Sequence, residues 1–543
     1  MTATASPLQN PDLASAVRAR PRTLLVFASL VGTVVYLIFT PPVPDLAAQV
    51  ARADIVRRVG LTVWWQGWFG GVHLPTYSAL SPMLMAALGP PLAGAIAAAA
   101  AAVAMSRLLR SSQRPLAGTI AFLVTDSANL VNGRITFAIG LALGLWCLVA
   151  MLEAPSRWRE PTTLALGVLT SLASPLAGAF LGLAAVTIVL ASRPRDRRAV
   201  RLAAVLAATL LGTAVLFPGS GQMPFGLLDA LPAAACALGI LAFCRNRRLQ
   251  VGAVAYLLVL AALLVYPAAV GMNITRLAWI FALPLVVAHA TLPRRSLVLA
   301  AAAVALIPAL DLGGQLVAAT DASAHESFYQ PLLTSLAADQ AARPQTLGQR
   351  VEVVDTRNHW ASAYLTNHQT LARGWERQAD RANNPLFYTG TALNPAAYRA
   401  WLDTLAVGWV AVPNAPLDYA SVTEAALIAT RPSYLRPIWS NRDWTLYRVV
   451  NARPLADGAT VLQMDDRGLT LAVHSLTVLL AVRWSPYLVV TDPAGRAVLG
   501  CVSQRVGWVE VTVPTPGTYR VVADFDGRLR GDQAGCQPTA GAG

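Results

Sequence analysis

The chain has 543 residues, of which 55% are hydrophobic and only 13% charged, and its mean hydropathy is +0.51, whereas an average soluble domain carries about 25% charge. A single soluble core is therefore excluded. The formal net charge of +14 rests on arginine alone, with no lysine in the chain, and all of the excess falls in the apolar half: 23 Arg against 9 acids in residues 1–313, and 19 against 19 in residues 314–543. Basic charge placed among membrane segments is no nucleic-acid signal.

In chain order, residues 1–22 read as a short basic tail. Leu24 to Thr40 is a first apolar run that lacks the small-residue exit of a cleaved signal peptide and is followed by many more such runs, so it reads as the first span. Apolar stretches recur at about 23–41, 79–105, 115–128, 135–152, 161–174, 177–192, 202–217, 228–243, 251–269, 274–290 and 297–313, which predicts a polytopic helical bundle of about eleven transmembrane helices over residues 23–313. Eighteen of the 23 arginines of this half cluster in every second loop, from Arg18, Arg20 and Arg22 through to Arg294 and Arg295. By the positive-inside rule those loops are cytoplasmic, so the N-terminus is inside and the chain after residue 313 is outside, in a multi-pass plasma-membrane protein.

The long outer loop, 41–78, opens with Pro44-Asp45-Leu46 and continues through Arg52-Ala53-Asp54, with an alternation over Leu46 to Val59 that predicts a helix lying at the membrane interface. Its second half, Val63 to Tyr77, packs three Trp, three Gly and one His into a segment too rich in glycine for a good helix. An aromatic belt is one reading. The Gly-Gly-x-His-x-Pro turn, with Trp65, Trp68 and His73, favours a ligand platform instead.

After residue 313 the periodicity becomes that of a soluble region. Val351 to Val354 and Val407 to Pro413 read as strands and Asn394 to Leu405 as an N-capped helix, which predicts an extracytoplasmic α/β domain over 314–455. Alternating segments at Ala459 to Asp465, Leu469 to His474, Val478 to Val490, Ala497 to Val502, Trp508 to Pro514 and Tyr519 to Asp524 predict a small β-sandwich over 456–528, with a Gly-rich tail at 529–543. Cys501 and Cys536, alone among the five cysteines, lie in this part and are placed to form a disulfide in an oxidising compartment.

Charges at the outer edge of the bundle mark function by default. Besides the acids of the first loop they include the Asp126-to-Arg134 hairpin, with Asn132 next to its turn, and Arg276 after Gly271 to Thr275. An acid there could deprotonate an acceptor hydroxyl, and arginines could hold a phosphate leaving group with their planar forks. The competing reading is that Arg134 and Arg276 cement the bundle, Arg134 through Asp126. No His/Cys cluster has metal-ligand spacing and there is no Walker-type phosphate loop.

The loop pattern W-x-x-G-W-x-G-G-x-x-L-P-x-Y-S-x-L-x-P, preceded by an Asp after the first span, resembles the layout of the GT-C superfamily of polytopic glycosyltransferases, and is similar to uncharacterised actinobacterial membrane proteins of that type over about residues 23–313. The resemblance implies transfer of a sugar from a polyprenyl-phosphate donor to a cell-envelope glycan or lipid on the outer face, with the soluble part helping to bind the acceptor. It maps the catalytic acid to Asp45, with Asp54 as understudy. Trp65, Trp68, His73, Asp126, Asn132, Arg134 and Arg276 are then the substrate-binding candidates. The family's second acid is not in its usual place, since the two acids here are nine apart, so dependence on a divalent metal stays open. The other readings are a transporter or flippase and a GT-C-like scaffold for envelope assembly. A transporter should keep its charges near the midplane, whereas these crowd the outer edge.

Overall fold

The computed structural model describes residues 31–153, 157–219, 221–389, 393–496, 498 and 500–525. The basic tail 1–22, the start of the first apolar run, Cys536 and the Gly-rich tail 529–543 lie outside them.

Proline and polar caps set where the helices begin. Pro90, Pro115 and Pro175 open Pro90–Leu108, Pro115–Val131 and Pro175–Ala191, where the missing amide hydrogen costs nothing. Asp196 and Asn246 cap Arg197–Leu216 and Arg247–Val265 by accepting from the first free backbone amides. Small residues let neighbouring helices close up: a Cβ on Gly140 would stand 2.6 Å from that of Ser174.

Among the described residues six helices, Pro90–Leu108, Ile135–Leu152, Arg197–Leu216, Arg247–Val265, Gly271–His289 and Arg294–Ala319, are long and apolar enough to cross a membrane, and Pro115–Val131, Pro175–Ala191 and Leu227–Phe243 are shorter apolar helices. Leu211, Val215, Leu258, Val265, Leu299 and Leu310 stand outward and exposed on three of them. An outer surface of that kind is matched by lipid and not by water, so the helical half is that of a membrane protein. Length and hydropathy do not establish eleven spans. The 79–105 run breaks at Gly89-Pro90 into Ser81–Leu88 and Pro90–Leu108, and Arg159–Ala173 is a 15-residue helix.

Beyond residue 319, Glu326–Ala341 leads into a four-stranded sheet ordered Arg350–Val353, Val407–Pro413, Trp444–Val449, Leu435–Ser440. Its first pair is parallel and the others are antiparallel. Pro395–Thr404 crosses between the first two strands and is capped by Asn394. Residues 456–523 form two antiparallel four-stranded sheets. Leu469, Leu471 and Val473 of one share a core with Val478, Leu480, Val509 and Val511 of the other, as period-2 alternation on both requires.

The Pro44–Val59 helix is buried along most of its length between the bundle and the outer part. It is not an interface-lying helix: Trp360 Nε1 donates to Pro42 O across 2.8 Å and helix Ala361–Tyr364 packs on it.

Candidate functional site

Between the bundle and the outer sheet lies a cavity of about 1010 Å³. Its floor is built by four helices. The Pro44–Val59 helix presents Asp45, Ala48, Gln49 and Arg52; the start of Ile135–Leu152 presents Arg134, Thr136 and Phe137; Thr275–His289 and Arg294–Ala319 add Arg276 and Asp311. Gly133 makes the first two meet. It sits at φ +72°, and a Cβ there would come within 2.7 Å of Leu46 N, so glycine is what allows the hairpin to seat on the helix and deliver Arg134 to Asp45.

The floor charges are joined. Arg134 Nε donates to Asp45 Oδ2 at 3.2 Å and Arg134 Nη2 to Asp311 Oδ2 at 3.1 Å. Arg276 Nη2 lies 3.8 Å from the same Asp45 oxygen. Asn132 Nδ2 donates to Asp311 Oδ2 at 3.2 Å, and the Thr136 hydroxyl donates to Gln49 Oε1. Two turns along from Asp45, Arg52 Nη2 pairs with Glu376 Oε2 of the outer part at 2.7 Å, with Tyr77 under its guanidinium at 4.0 Å.

The roof comes from the carboxyl ends of the two parallel strands, where open α/β sheets place ligands. Asp355, Arg357 and His359 follow Arg350–Val353; Asp418 and Tyr419 follow Val407–Pro413. Trp375, Glu376 and Arg377 complete it. His359 Nδ1 pairs with Asp355 Oδ2 at 2.5 Å and its ring stacks on Trp375 at 3.3 Å between centroids. Arg377 is held by both oxygens of Asp418, at 2.9 and 2.7 Å. Burial alone would raise the Asp418 carboxyl, but the Arg377 hydrogen bonds and the charges of His359 and Arg377 outweigh it and hold it at about 2.

Of the residues singled out by sequence, Asp45, Arg134 and Arg276 line this cavity together. The others lie elsewhere. Asp54 pairs with Arg57 one turn on, at 2.5 Å. Trp65 and Trp68 are 1% and 0% exposed, and their indole nitrogens donate to Asp466 Oδ1 and Thr366 Oγ1 at 2.9 and 3.3 Å, so neither ring has a face free for a sugar. His73 bridges Pro218 O and Ser485 Oγ, each at 2.9 Å. The whole Trp-Gly loop is a clasp: Leu371 N donates to Gly67 O and Arg483 N to Gly70 O, and the chain that returns from the outer sheets covers its aromatic faces. Asp126 is 1% exposed inside the bundle and neither of its oxygens has a hydrogen-bond partner among the described residues. Arg134 is thus tied to Asp45 and Asp311, not to Asp126, and Asn132 serves the cavity indirectly by fixing Asp311. Among the described residues no group of three or more His, Cys, Asp or Glu is placed to hold a metal ion.

Sequence reading missed Asp311, Glu376, Arg357, His359, Arg377 and Tyr419 as members of this site. Arg52 was visible in the first outer loop, but nothing local linked it to a partner 324 residues away, or Arg134 to one 177 residues away.

No family model matches the chain, and no curated protein matches it in sequence. Among solved structures it is similar to two cryo-EM structures of the arabinofuranosyltransferase AftD from Mycobacteria. With a mutant form the TM-score is 0.46 at 18% identity, over 80% of this chain and 42% of that one. With the other the TM-score is 0.45 at 14% identity, over 93% and 57%. The chain spans about half the length of these proteins.

Proposed function

We propose that the chain is a membrane glycosyltransferase that moves a sugar from a polyprenyl-phosphate donor to a cell-envelope glycan or lipid on the outer face of the plasma membrane. The observation that carries this reading is the convergence of Asp45, Arg134 and Arg276 on one wall of a large cavity set between the lipid-facing helices and the outer part. A lipid-borne phosphate reaches that level from the bilayer, and a hydrophilic acceptor reaches it from the opposite side.

In the reaction the acceptor oxygen forms a bond to the anomeric carbon while the bond from that carbon to the donor phosphate breaks. The phosphate leaves with the electron pair, and the acceptor proton passes to Asp45. Arg276 has the longest of the three floor contacts, 3.8 Å to Asp45, so it exchanges Asp45 for phosphate oxygens most readily, and Arg134 adds a second fork. That exchange relieves Asp45 of one cation just as it has to accept a proton. Asp311 keeps Arg134 in place throughout.

The test uses the full chain in lipid nanodiscs with added polyprenyl phosphate. Wild type should gain thermal stability by linkage, and Arg276→Ala should fold but lose most of the gain. Asp45→Asn should abolish transfer. Equal stabilisation of wild type and Arg276→Ala would leave the arginines as bundle cement and remove the support for this reading.

A further inference from the structure

We infer that Tyr419 is a stacking platform for a sugar ring of an uncharged glycan, presented on the cavity roof by a ladder of His359, Trp375 and Arg377. This rests on the proposed transferase reading only in calling the platform the acceptor side.

The four groups are stacked in order. His359 lies on Trp375 with an interplanar angle of 11°. The Arg377 guanidinium stands 5.0 Å from the Trp375 ring centre on one side and 4.6 Å from that of Tyr419 on the other. Two rungs are fixed from behind, His359 by Asp355 and Arg377 by the two Asp418 oxygens, and Asp418 in turn accepts from the backbone amide of Ala420 at 3.0 Å. His359 takes φ +58°, a left-handed conformation that is strained for a residue other than glycine and persists where surrounding structure enforces it.

The ladder ends in an exposed ring. Tyr419 is 62% exposed, whereas His359 and Asp418 behind it are buried. A cation over a phenol orients the ring, the Tyr388 ring lies 6.3 Å away at 74°, and the exposed remainder of Tyr419 lines the cavity. A rigid aromatic face whose edge carries a hydroxyl suits the C–H face of a sugar, apolar in the middle and polar at its rim. Arg357, exposed on the same roof with no ion-pair partner among the described residues, offers a fork of donors for the hydroxyls of that ring. Arg377 is already neutralised by Asp418 and Glu376 by Arg52, and Arg357 is exposed and stays solvated, so its charge does not demand an anionic ligand.

The experiment measures binding without donor, using the full chain in nanodiscs and three uncharged pentasaccharides, one each of arabinose, mannose and glucose. The readouts are intrinsic tryptophan fluorescence, to which Trp375 contributes, and saturation-transfer NMR. At least one pentasaccharide should bind wild type at millimolar or lower concentration. Tyr419→Phe should stay within about twofold, and Tyr419→Ala should weaken binding about tenfold, equivalent to about 1.4 kcal/mol; because the side chain is exposed, the variant should fold. No binding of any of the three to wild type, or equal binding by Tyr419→Ala, overturns the inference. Polyprenyl-phosphate stabilisation of the same samples separates the two readings. Tyr419-dependent saccharide binding without lipid-phosphate binding keeps the platform and removes the transferase. Arg276-dependent lipid binding with Tyr419-independent saccharide binding does the reverse.

Discussion

Replacing Glu376 by alanine isolates the one ion pair that, among the described residues, joins the cavity floor to its roof. Arg52 and Glu376 approach to 2.7 Å with side chains 2% and 12% exposed, so their gross attraction is about 6 kcal/mol at an effective dielectric near 20. Most of that is cancelled by desolvation, and the measurable quantity is the cost of leaving Arg52 behind. Its Nε and Nη1 already have no hydrogen-bond partner among the described residues, so losing Glu376 strips the remaining one. Breaking one side of a buried pair costs about 3–5 kcal/mol. The rings of Tyr77 at 4.0 Å and Trp68 at 5.6 Å hold the guanidinium by cation–π attraction in both forms, so they drop out of the difference. The expected loss is therefore about 3–5 kcal/mol.

At about 2.1 cal/mol/K of unfolding entropy per residue, that corresponds for a chain of this size to a fall in Tm of roughly 3–4 °C. The assay is nanodisc thermal unfolding followed by tryptophan fluorescence, at one scan rate because membrane proteins rarely refold on cooling. Arg52→Leu combined with Glu376→Leu should recover most of the loss, because an apolar pair of similar size removes both charges. A Tm for Glu376→Ala within about 1 °C of wild type, or a double variant worse than the sum of its singles, would refute the reasoning.

If the outer sheet is extracytoplasmic, a cysteine at Arg442, whose side chain is 90% exposed, should react with an impermeant maleimide on intact cells, and one at Arg195 should react only after permeabilisation; the opposite pattern inverts the topology. Cys501 is disulfide-bonded, and non-reducing mass spectrometry should find it cross-linked to Cys536; two free thiols would end that pairing. Glu352 is fully buried with neither oxygen hydrogen-bonded, and burial beside Glu424 holds its carboxyl well above the usual range, while burial raises Glu424 to about 7. The folded state thus binds more protons than the unfolded one, whose carboxyls titrate near about 4.3. Stability falls as pH rises from there through about 7, so Tm should be lower at pH 8.5 than at pH 6, and Glu352→Gln should flatten the drop. An unchanged slope in that variant would show that another group sets it.

The sequence was most legible where the cause is local. Proline and polar caps mark helix starts, period-2 alternation marks the sheet strands, and Asn394 caps the helix it was expected to cap. Asp45, Arg134 and Arg276 were found because a charge near hydrocarbon needs a reason wherever it stands. The Trp-Gly loop was read as a platform because composition shows that a ring is present and not what covers it. Its covers, Asp466 and Arg483, lie about 400 residues downstream. The same limit hid the roof: His359 is a lone histidine in sequence, and its meaning comes from Trp375 stacked on it and from a parallel strand pair that brings Asp355 beside Asp418.

The Pro44–Val59 helix explains why floor and roof act together. Asp45, Ala48, Gln49 and Arg52 stand at i, i+3, i+4 and i+7, one face of a helix with 3.6 residues per turn, and all four line the cavity. The face is polar where it meets the cavity, and Ala47, Ala51 and Ala53 outside it are small and buried. Asp45 is thereby held against Arg134 and Arg276 at one end, and Arg52 against Glu376 two turns later, next to Arg377 at the base of the Tyr419 ladder. A rotation of this helix by even one residue, about 100°, would turn Asp45 from its arginines and Arg52 from Glu376 in the same movement. The spacing of those two charges therefore fixes the distance between the proposed donor and acceptor sides more tightly than any single contact within either.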